Sequence, residues 1–310
     1  MLSYLIFFLI IAGIYGIMTL GLNLQWGYTG LFNIGVAGFW AVGAYTSAIL
    51  TKAPSPDHLG GFNLPFIVGL LAAALASGII AFIIGLPTLR LREDYLAIAT
   101  IGIAEIIRLI AKNEGWLTNG VRGISGIPKP FQNLVDSGYN FFYLIIVLAI
   151  LAVIYFISRR AIGSPWGRVL RAIREDEDVA RAAGKKVFRY RLEALVLGSM
   201  VMGIGGAVYA HFTSFISPEV FKPMQGTFLV WVMLIIGGSG NSLGALVGAI
   251  ITWSIWSGTE LLTSFLPPTI TTQAAAFRVI LIGVLLEVVL LTRPQGLLGE
   301  DRHVSSLLKE

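Results

Sequence analysis

The sequence contains no cysteine, which excludes disulfide bonds and thiolate metal ligands. Its three histidines, His58, His211 and His303, lie far apart along the chain, so a histidine-based metal cluster is not expected. The glycine-rich phosphate loop G-x-x-x-x-G-K-[ST] is also missing, which excludes nucleotide binding of that kind. We therefore expect neither a metal nor another cofactor on this chain.

Charge is scarce as well, because charged residues make up only 13% of the chain, compared with about 25% in soluble globular proteins. Hydrophobic residues make up 56% and the mean hydropathy is +0.81. Apolar stretches of about 20 residues recur from end to end, and this is the length with which a helix crosses about 30 Å of hydrocarbon. The stretches are continuous rather than alternating, which favours helices over a barrel. The sequence predicts an all-α integral membrane protein, with one transmembrane domain over 1–310.

We predict eight or nine transmembrane helices. The count depends on Gly237–Ser242, a glycine-rich break that is either a tight turn between two helices or a re-entrant bend inside the protein. Small residues at helical spacing, among them Gly244, Gly248 and Gly78, indicate either tight packing within one bundle or a gate or intersubunit contact. The spans are expected at 2–24, 31–51, 64–86, 95–112, 139–158, 191–213, 226–237 with 243–264, and 273–292.

Basic residues predict the orientation, because they accumulate on the cytoplasmic side of a membrane protein. The stretch 159–191 alone holds ten of the 22 lysines and arginines. If this stretch is cytoplasmic, Arg90 and Arg92 and the tail residues Arg293, Arg302 and Lys309 are cytoplasmic too. We therefore expect the N-terminus outside and the C-terminus in the cytoplasm. This distribution explains the net charge of +5 without any nucleic acid partner.

The basic stretch also contains a predicted helical hairpin over 164–186. Ser164 suits a helix N-cap and Pro165 the first helical position, while Gly184 suits a left-handed C-terminal position. A second short helix is expected from Asp176, with acid at its start and base at its end. The hairpin is a solvated element, an amphipathic element on anionic lipid, or a docking surface for a cytoplasmic protein. The separated charges favour docking.

Two charged residues fall within a predicted span, where charge is costly and is a candidate for function. Glu105 and Arg108 stand at i and i+3, so they are able to pair on one helix face. The pair is either structural or part of a substrate path. No nucleophile–base arrangement is recognisable in the sequence, so an enzyme is not expected.

The chain resembles the permease subunits of branched-chain amino acid ABC importers, in particular the subunit whose cytoplasmic loop reads Arg-Ala-Ile-Arg-Glu-Asp. The motifs run in the family's order from the first predicted span to the tail. One departure is Asn119–Arg122, where such permeases often carry Gly-Gly-Pro-Asn, a change that bears on substrate handoff. The matching stretches are Gly21–Gly30, Gly43–Tyr45, Gly85–Arg92, Asp94–Ile98, Glu105–Arg108, Gly123–Pro128, Phe215–Pro218, Gly237–Gly240 and Arg293–Gly296.

The resemblance implies a function and a set of partners. It implies that 159–191 is a cytoplasmic ATPase-docking loop, with Glu177, Ala180, Arg181 and Gly184 at the contact. It further implies a complex in the inner membrane with a second homologous permease, two ATPases that bind the ATP, an external substrate-binding protein and surrounding membrane lipid. The substrate would be a branched-chain or other neutral amino acid.

Another substrate class and two other classes of transport protein compete with this interpretation. Related permeases move urea or short amides, and the loops do not separate these substrates from amino acids. An ion-coupled secondary transporter would need a functional intramembrane carboxylate and no ATPase contact, and the strongly basic hairpin argues against it. A channel would need no energy coupling.

Overall fold

The computed structural model describes residues 2–54, 58–132, 138–263 and 271–300. The loop around Pro56 and the tail that contains Arg302 and Lys309 lie outside the described residues. Nearly all regular structure is helical, as predicted. The α-helices are α1 Leu2–Leu22, α2 Val36–Thr51, α3 Phe66–Thr88, α4 Glu93–Asn113, α5 Gly115–Thr118, α6 Tyr139–Gly163, α7 Pro165–Glu175, α8 Glu177–Ala182, α9 Val187–Thr213, α10 Leu229–Gly237, α11 Ser242–Thr263 and α12 Thr271–Thr292.

Within the described residues, five helices are long and apolar enough to cross a membrane: Ser3–Gly27, Phe66–Thr88, Tyr139–Gly163, Val187–Thr213 and Ser242–Leu261. Two shorter apolar helices, Val36–Thr51 and Met224–Gly237, accompany them. The chain is thus a multi-pass helical membrane protein, and the count of eight or nine spans stays a prediction.

A span was expected to begin at residue 31, but the chain is not α-helical there. After α1 it forms a π-helix over Asn23–Gly27, and α2 begins only at Val36. Side chains satisfy the freed backbone: the Thr100 hydroxyl accepts from the Ile34 N–H at 3.0 Å, and the Asn33 side chain accepts from the Gly35 N–H at 2.7 Å. Local side-chain acceptors compete with helix formation in this way.

Helix α9 lies at the centre of the bundle and contacts α1, α2 and α3 through glycines. A Cβ atom on Gly206 would lie 2.1 Å from the Trp40 carbonyl oxygen of α2, and one on Gly203 would lie 2.7 Å from the Ala73 oxygen of α3. The absence of side chains at these positions lets the helix backbones approach closely.

The glycine-rich break forms a tight turn between α10 and α11. Gly238 and Gly240 both have positive φ, at 112° and 80°. A Cβ atom on Gly248 would lie 1.9 Å from the Met233 oxygen, and one on Gly237 would lie 1.9 Å from the Gly244 oxygen. These small residues therefore serve tight packing between helices of the same bundle.

A short antiparallel strand pair joins the connections that follow α5 and α9, an element that the sequence did not suggest. Strand β1 is Ile124–Ser125 and strand β2 is Phe215–Ile216. Ile124 is opposite Ile216, and both side chains are fully buried. The pair lies at the end of the bundle remote from α7 and α8, because α9 runs between the two.

Candidate functional site

The predicted hairpin is present as α7 and α8, and we refer to residues 164–186 as the α7–α8 hairpin. Pro165 occupies the first turn of α7, as expected. Ser164 stands at the N-cap, but its hydroxyl donates to the Ala161 carbonyl oxygen at 2.6 Å and does not accept from the first turn. The predicted side-chain cap at Ser164 was therefore wrong, because this hydroxyl donates to the Ala161 carbonyl oxygen, which also accepts from the Ser164 N–H at 3.1 Å.

Helix α8 is capped at both ends. The Asp176 carboxylate accepts from the N–H groups of Asp178 and Val179, each at 2.9 Å. At the other end Gly184 has φ +76°, its N–H donates to the Arg181 oxygen at 3.0 Å, and the Lys185 N–H donates to the Ala180 oxygen at 3.2 Å. These two bonds form a Schellman motif, which confirms the predicted left-handed position.

Glu177 ties α8 to the membrane-spanning helix α9. One carboxylate oxygen accepts from Arg181 at 2.6 Å and the other accepts from Arg191 at 2.8 Å. The Arg191 side chain is only 9% exposed, so Glu177 supplies the counter-charge that its burial requires. Glu177 therefore holds the hairpin in place and is not a free contact group.

Ala180 is almost fully buried where α7, α8 and α9 meet. It is 3% exposed and forms a small apolar cluster with Ile173 and Val187, against which Val169 and Tyr190 pack. Its burial leaves little surface for a direct contact, and its role at an ATPase contact stays a prediction.

The outward side of the hairpin carries an open apolar groove with a cavity of about 460 Å³. Val179 is 64% exposed in this groove, although it is aliphatic. No heavy atom lies within 4 Å of the position that a Gly184 Cβ would occupy, so the turn beside the groove is also open. We call this surface the hairpin groove; it is lined by Pro165, Arg168, Val169, Ala172, Glu175, Asp176, Val179, Ala180, Ala183 and Lys185.

Arg174 connects the hairpin to the core of the bundle. Its guanidinium donates to the Gly27 carbonyl oxygen at the end of the π-helix and to the Glu300 carboxylate. The Asn23 side chain, one turn before Gly27, accepts from the Gly240 N–H in the α10–α11 turn at 2.9 Å. Hydrogen bonds thus join the hairpin to the end of α1 and, through Asn23, to the α10–α11 turn.

A buried polar cluster lies behind this contact, and sequence reasoning missed it as a structural unit. The Gln25 amide donates to the Leu195 oxygen at 2.8 Å and to the Ser199 hydroxyl at 3.1 Å, and it accepts from the Asn33 amide at 2.7 Å. The Trp231 indole donates to the Asn33 oxygen at 3.0 Å. Polar residues within the motif Gly21–Gly30 and shortly after it were the available signal, since buried amides need partners.

Glu105 and Arg108 form the predicted pair, with Nε–Oε2 and Nη2–Oε1 distances of 2.9 and 2.5 Å. Arg108 also approaches Glu219 at 3.7 Å, so it lies between two carboxylates. Lys222, which pairs with Glu219 at 2.5 Å, holds the pKa of the Glu219 carboxyl below its ordinary value, and Lys112 and Arg108 lower it further. Whether the pair is structural or lines a substrate path stays a prediction.

The two sets of predicted site residues are not brought together. Arg92, just before α4, lines a cavity that Glu177 and Arg181 also line. Arg108 lies 16 residues farther along the same chain segment, which is about 24 Å at helical rise. The charged pair therefore belongs to the end of the bundle near β1 and β2, and the hairpin belongs to the other end.

The described residues form a multi-span helical bundle with a capped hairpin. Comparison with known proteins identifies the family to which the chain belongs. A family model described as the permease component of branched-chain amino acid transport systems matches residues 4–290. The chain belongs to this family. The resemblance seen in the motifs is thus confirmed.

Individual relatives agree with the family match. The chain is 33% identical over 313 residues to the high-affinity branched-chain amino acid transport system permease protein LivM of Salmonella typhimurium, covering 93% of this chain and 68% of that protein. It is 28% identical to the probable branched-chain amino acid transport permease protein LivM of Methanocaldococcus jannaschii, over 96% and 94% of the two chains. It is 24% identical to the nucleoside ABC transporter permease protein NupC of Lactococcus lactis, over 72% and 71%. No solved structure matches the chain.

Proposed function

We propose that this chain is a permease subunit of an ABC importer and forms half of the translocation path for branched-chain amino acids. The observation that carries the proposal is the family match over residues 4–290. Relatives named for branched-chain amino acids reach 33% identity, whereas the nucleoside permease stands at 24%. Import is driven by ATP hydrolysis in separate subunits, because the sequence has no phosphate loop.

The α7–α8 hairpin is the proposed contact with the ATPase. Its groove exposes Val179, and the exposed residues Arg181 and Gly184 lie close by in the sequence, which suits a partner surface that covers apolar area. Glu177 and Ala180 act behind this surface, as the tie to α9 and as the interior packing. Arg174 passes displacement of the hairpin to Gly27, and hence to the ends of α1, α10 and α11.

The remaining partners and the orientation follow from the same proposal. A second homologous permease completes the path, two ATPases lie in the cytoplasm, and an external binding protein delivers the substrate. The protein lies in the inner membrane. Its N-terminus is outside, and the hairpin and the C-terminus are in the cytoplasm. In this arrangement α1, α2, α3, α4, α6, α9, α10, α11 and α12 all cross the membrane.

The substrate is tested by uptake into vesicles that hold the complete importer. We expect saturable, ATP-dependent uptake of labelled leucine that isoleucine and valine compete for, and that urea, acetamide and uridine leave unchanged. Competition by uridine or urea, with no effect of valine, would assign the permease to another substrate class.

The orientation and the docking surface are tested with single cysteines, which report cleanly because the chain has none. Val179→Cys places a thiol in the hairpin groove, and Val121→Cys places one at the exposed Gly120–Arg122 turn near the other end. A membrane-impermeant maleimide added to intact cells should label the Val121→Cys variant and leave the Val179→Cys variant unlabelled. The Val179→Cys variant should cross-link to the ATPase in the assembled complex, and the Val121→Cys variant serves as the matched control. Labelling of the Val179→Cys variant from outside would reverse the orientation.

A further inference from the structure

A second surface at the hairpin end of the bundle is a strongly basic cavity of about 1060 Å³. It opens between the α3–α4 turn, helix α8 and the start of α9. Seven lysine and arginine side chains line it, against two carboxylates, those of Glu177 and Asp178. We call this surface the basic cavity.

Part of this charge is compensated inside the protein. Arg181 pairs with both carboxylates, Arg191 pairs with Glu177, and Arg189 pairs with Glu193 at 2.7 Å. The other four cations make no ion pair within the part of the chain that the structure describes. They are the exposed residues Arg90, Arg92, Lys185 and Lys186. Four such cations around one cavity attract an anion that several of them can contact at once, such as a phosphate group.

The apolar surroundings of the cavity indicate what carries that phosphate. Leu91 and Phe188 are exposed at its lining. Directly before it, α3 presents Leu75, Ile79, Phe82 and Leu86, which are all exposed and spaced along one helix face. Helix α3 is long and apolar enough to cross a membrane, so this stripe offers an apolar surface to acyl chains and ends at the cations. A soluble anion or an acidic protein surface would need no such stripe.

We propose that the basic cavity binds the headgroup phosphate of an anionic phospholipid, whose acyl chains lie along the exposed face of α3. The basic cavity is a different surface from the hairpin groove, although Lys185 lines both, because Arg90 and Arg92 line only the basic cavity. Headgroup binding assigns the unpaired arginines of the α3–α4 turn a role at the membrane surface, where basic clusters recognise anionic headgroups.

Native mass spectrometry of the purified full-length chain, titrated with phosphatidylglycerol or with phosphatidylcholine, tests the proposal. The wild-type chain should bind phosphatidylglycerol in preference. Arg90→Gln/Arg92→Gln should bind it about 30-fold more weakly, at about 1 kcal/mol for each lost cation. Arg159→Gln/Arg160→Gln, which removes two exposed charges at the end of α6, is the matched control and should bind as wild type.

Further variants keep the test decisive. Arg92→Gln/Lys186→Gln should repeat the loss, and Arg90→Lys/Arg92→Lys, which keeps the charge, should retain most of the binding. Equal affinity of the wild-type chain for both lipids, or unchanged phosphatidylglycerol binding in both glutamine variants, would overturn the proposal. Displacement of the lipid by millimolar inorganic phosphate would reassign the cavity to a soluble phosphate. Loss of ATPase association with unchanged lipid binding would reassign it to an acidic protein surface.

Discussion

Gly184 provides the sharpest test of the proposed docking surface, because two properties of the position are separable there. Its φ of +76° belongs to the left-handed region, and the space beyond its Cα is open. A substitution therefore brings a backbone cost and, independently, bulk on the outer surface of the hairpin.

The backbone cost is small compared with what holds the hairpin. A non-glycine residue in this conformation costs about 1–2 kcal/mol, and asparagine costs less because its side chain tolerates the left-handed region. Against this stand the Asp176 cap, at about 1 kcal/mol, the two Glu177 ion pairs and the buried Ala180. Both Gly184→Asn and Gly184→Trp should therefore keep a folded hairpin.

Only the tryptophan variant adds bulk where the ATPase is expected to dock. We expect leucine uptake by the reconstituted importer to fall at least about tenfold in Gly184→Trp, which corresponds to about 1.4 kcal/mol of lost docking free energy. Gly184→Asn should stay close to wild type. The assay measures uptake and ATP hydrolysis together, after equal amounts of assembled complex have been verified.

Two results would refute the reasoning about Gly184. Full uptake by a well-assembled Gly184→Trp complex would place the contact elsewhere on the chain. An equal loss in Gly184→Asn and Gly184→Trp would show that the left-handed backbone itself matters, and not the space outside it.

Three further predictions concern stability, measured as thermal unfolding in detergent. Glu105→Gln should destabilise the protein by about 1–3 kcal/mol, and by more than Arg108→Gln, because it leaves the charge of the more buried partner uncompensated: Arg108 is 13% exposed and Glu105 is 38% exposed. The double variant should recover part of the loss. Equal stability of both single variants would contradict this asymmetry. Gly43→Ala should lower the free energy of unfolding by about 1–3 kcal/mol, because its Cβ would lie 2.1 Å from the Gly203 oxygen. Gly102→Ala, which has open space in mid-helix, should instead raise it by up to about 1 kcal/mol. A neutral Gly43→Ala would show that α2 and α9 are free to separate. Ala180→Leu should overpack the hairpin, destabilise it by about 1–3 kcal/mol and increase its proteolysis. Ala182→Leu, on the exposed side, should do neither. Identical proteolysis of the two variants would place Ala180 outside the interior.

Local patterns predicted what local geometry decides. The Glu105–Arg108 pair and the left-handed Gly184 follow from spacing within one or two helical turns, and both are present. The failed cap at Ser164 has a local cause too, because its hydroxyl had another partner at equally short range, the Ala161 carbonyl oxygen, to which it donates. Sequence alone does not rank two local partners for one hydroxyl group.

Partners from distant parts of the chain were beyond prediction. Glu193 accepts from Trp166, 27 residues earlier, at 2.8 Å, and Arg278 of α12 approaches Glu260 of α11 at 3.7 Å. The inward position of Ala180 likewise depends on where α9 passes the hairpin. Such pairings depend on how whole helices pack, which residue spacing within one helix does not encode.

The sequence by itself determined that this protein is a helical membrane protein of the permease family, because continuous apolar runs in lipid leave the backbone few alternatives and the family motifs recur in order. Only the tertiary structure decided which face of the hairpin is open, which arginines beside α3 make no ion pair with the described residues, and how the backbone of the break after α1 is hydrogen-bonded. The physical reason is that burial and pairing depend on the close approach of α9 to α1, α2 and α3, which the glycines between these helices permit.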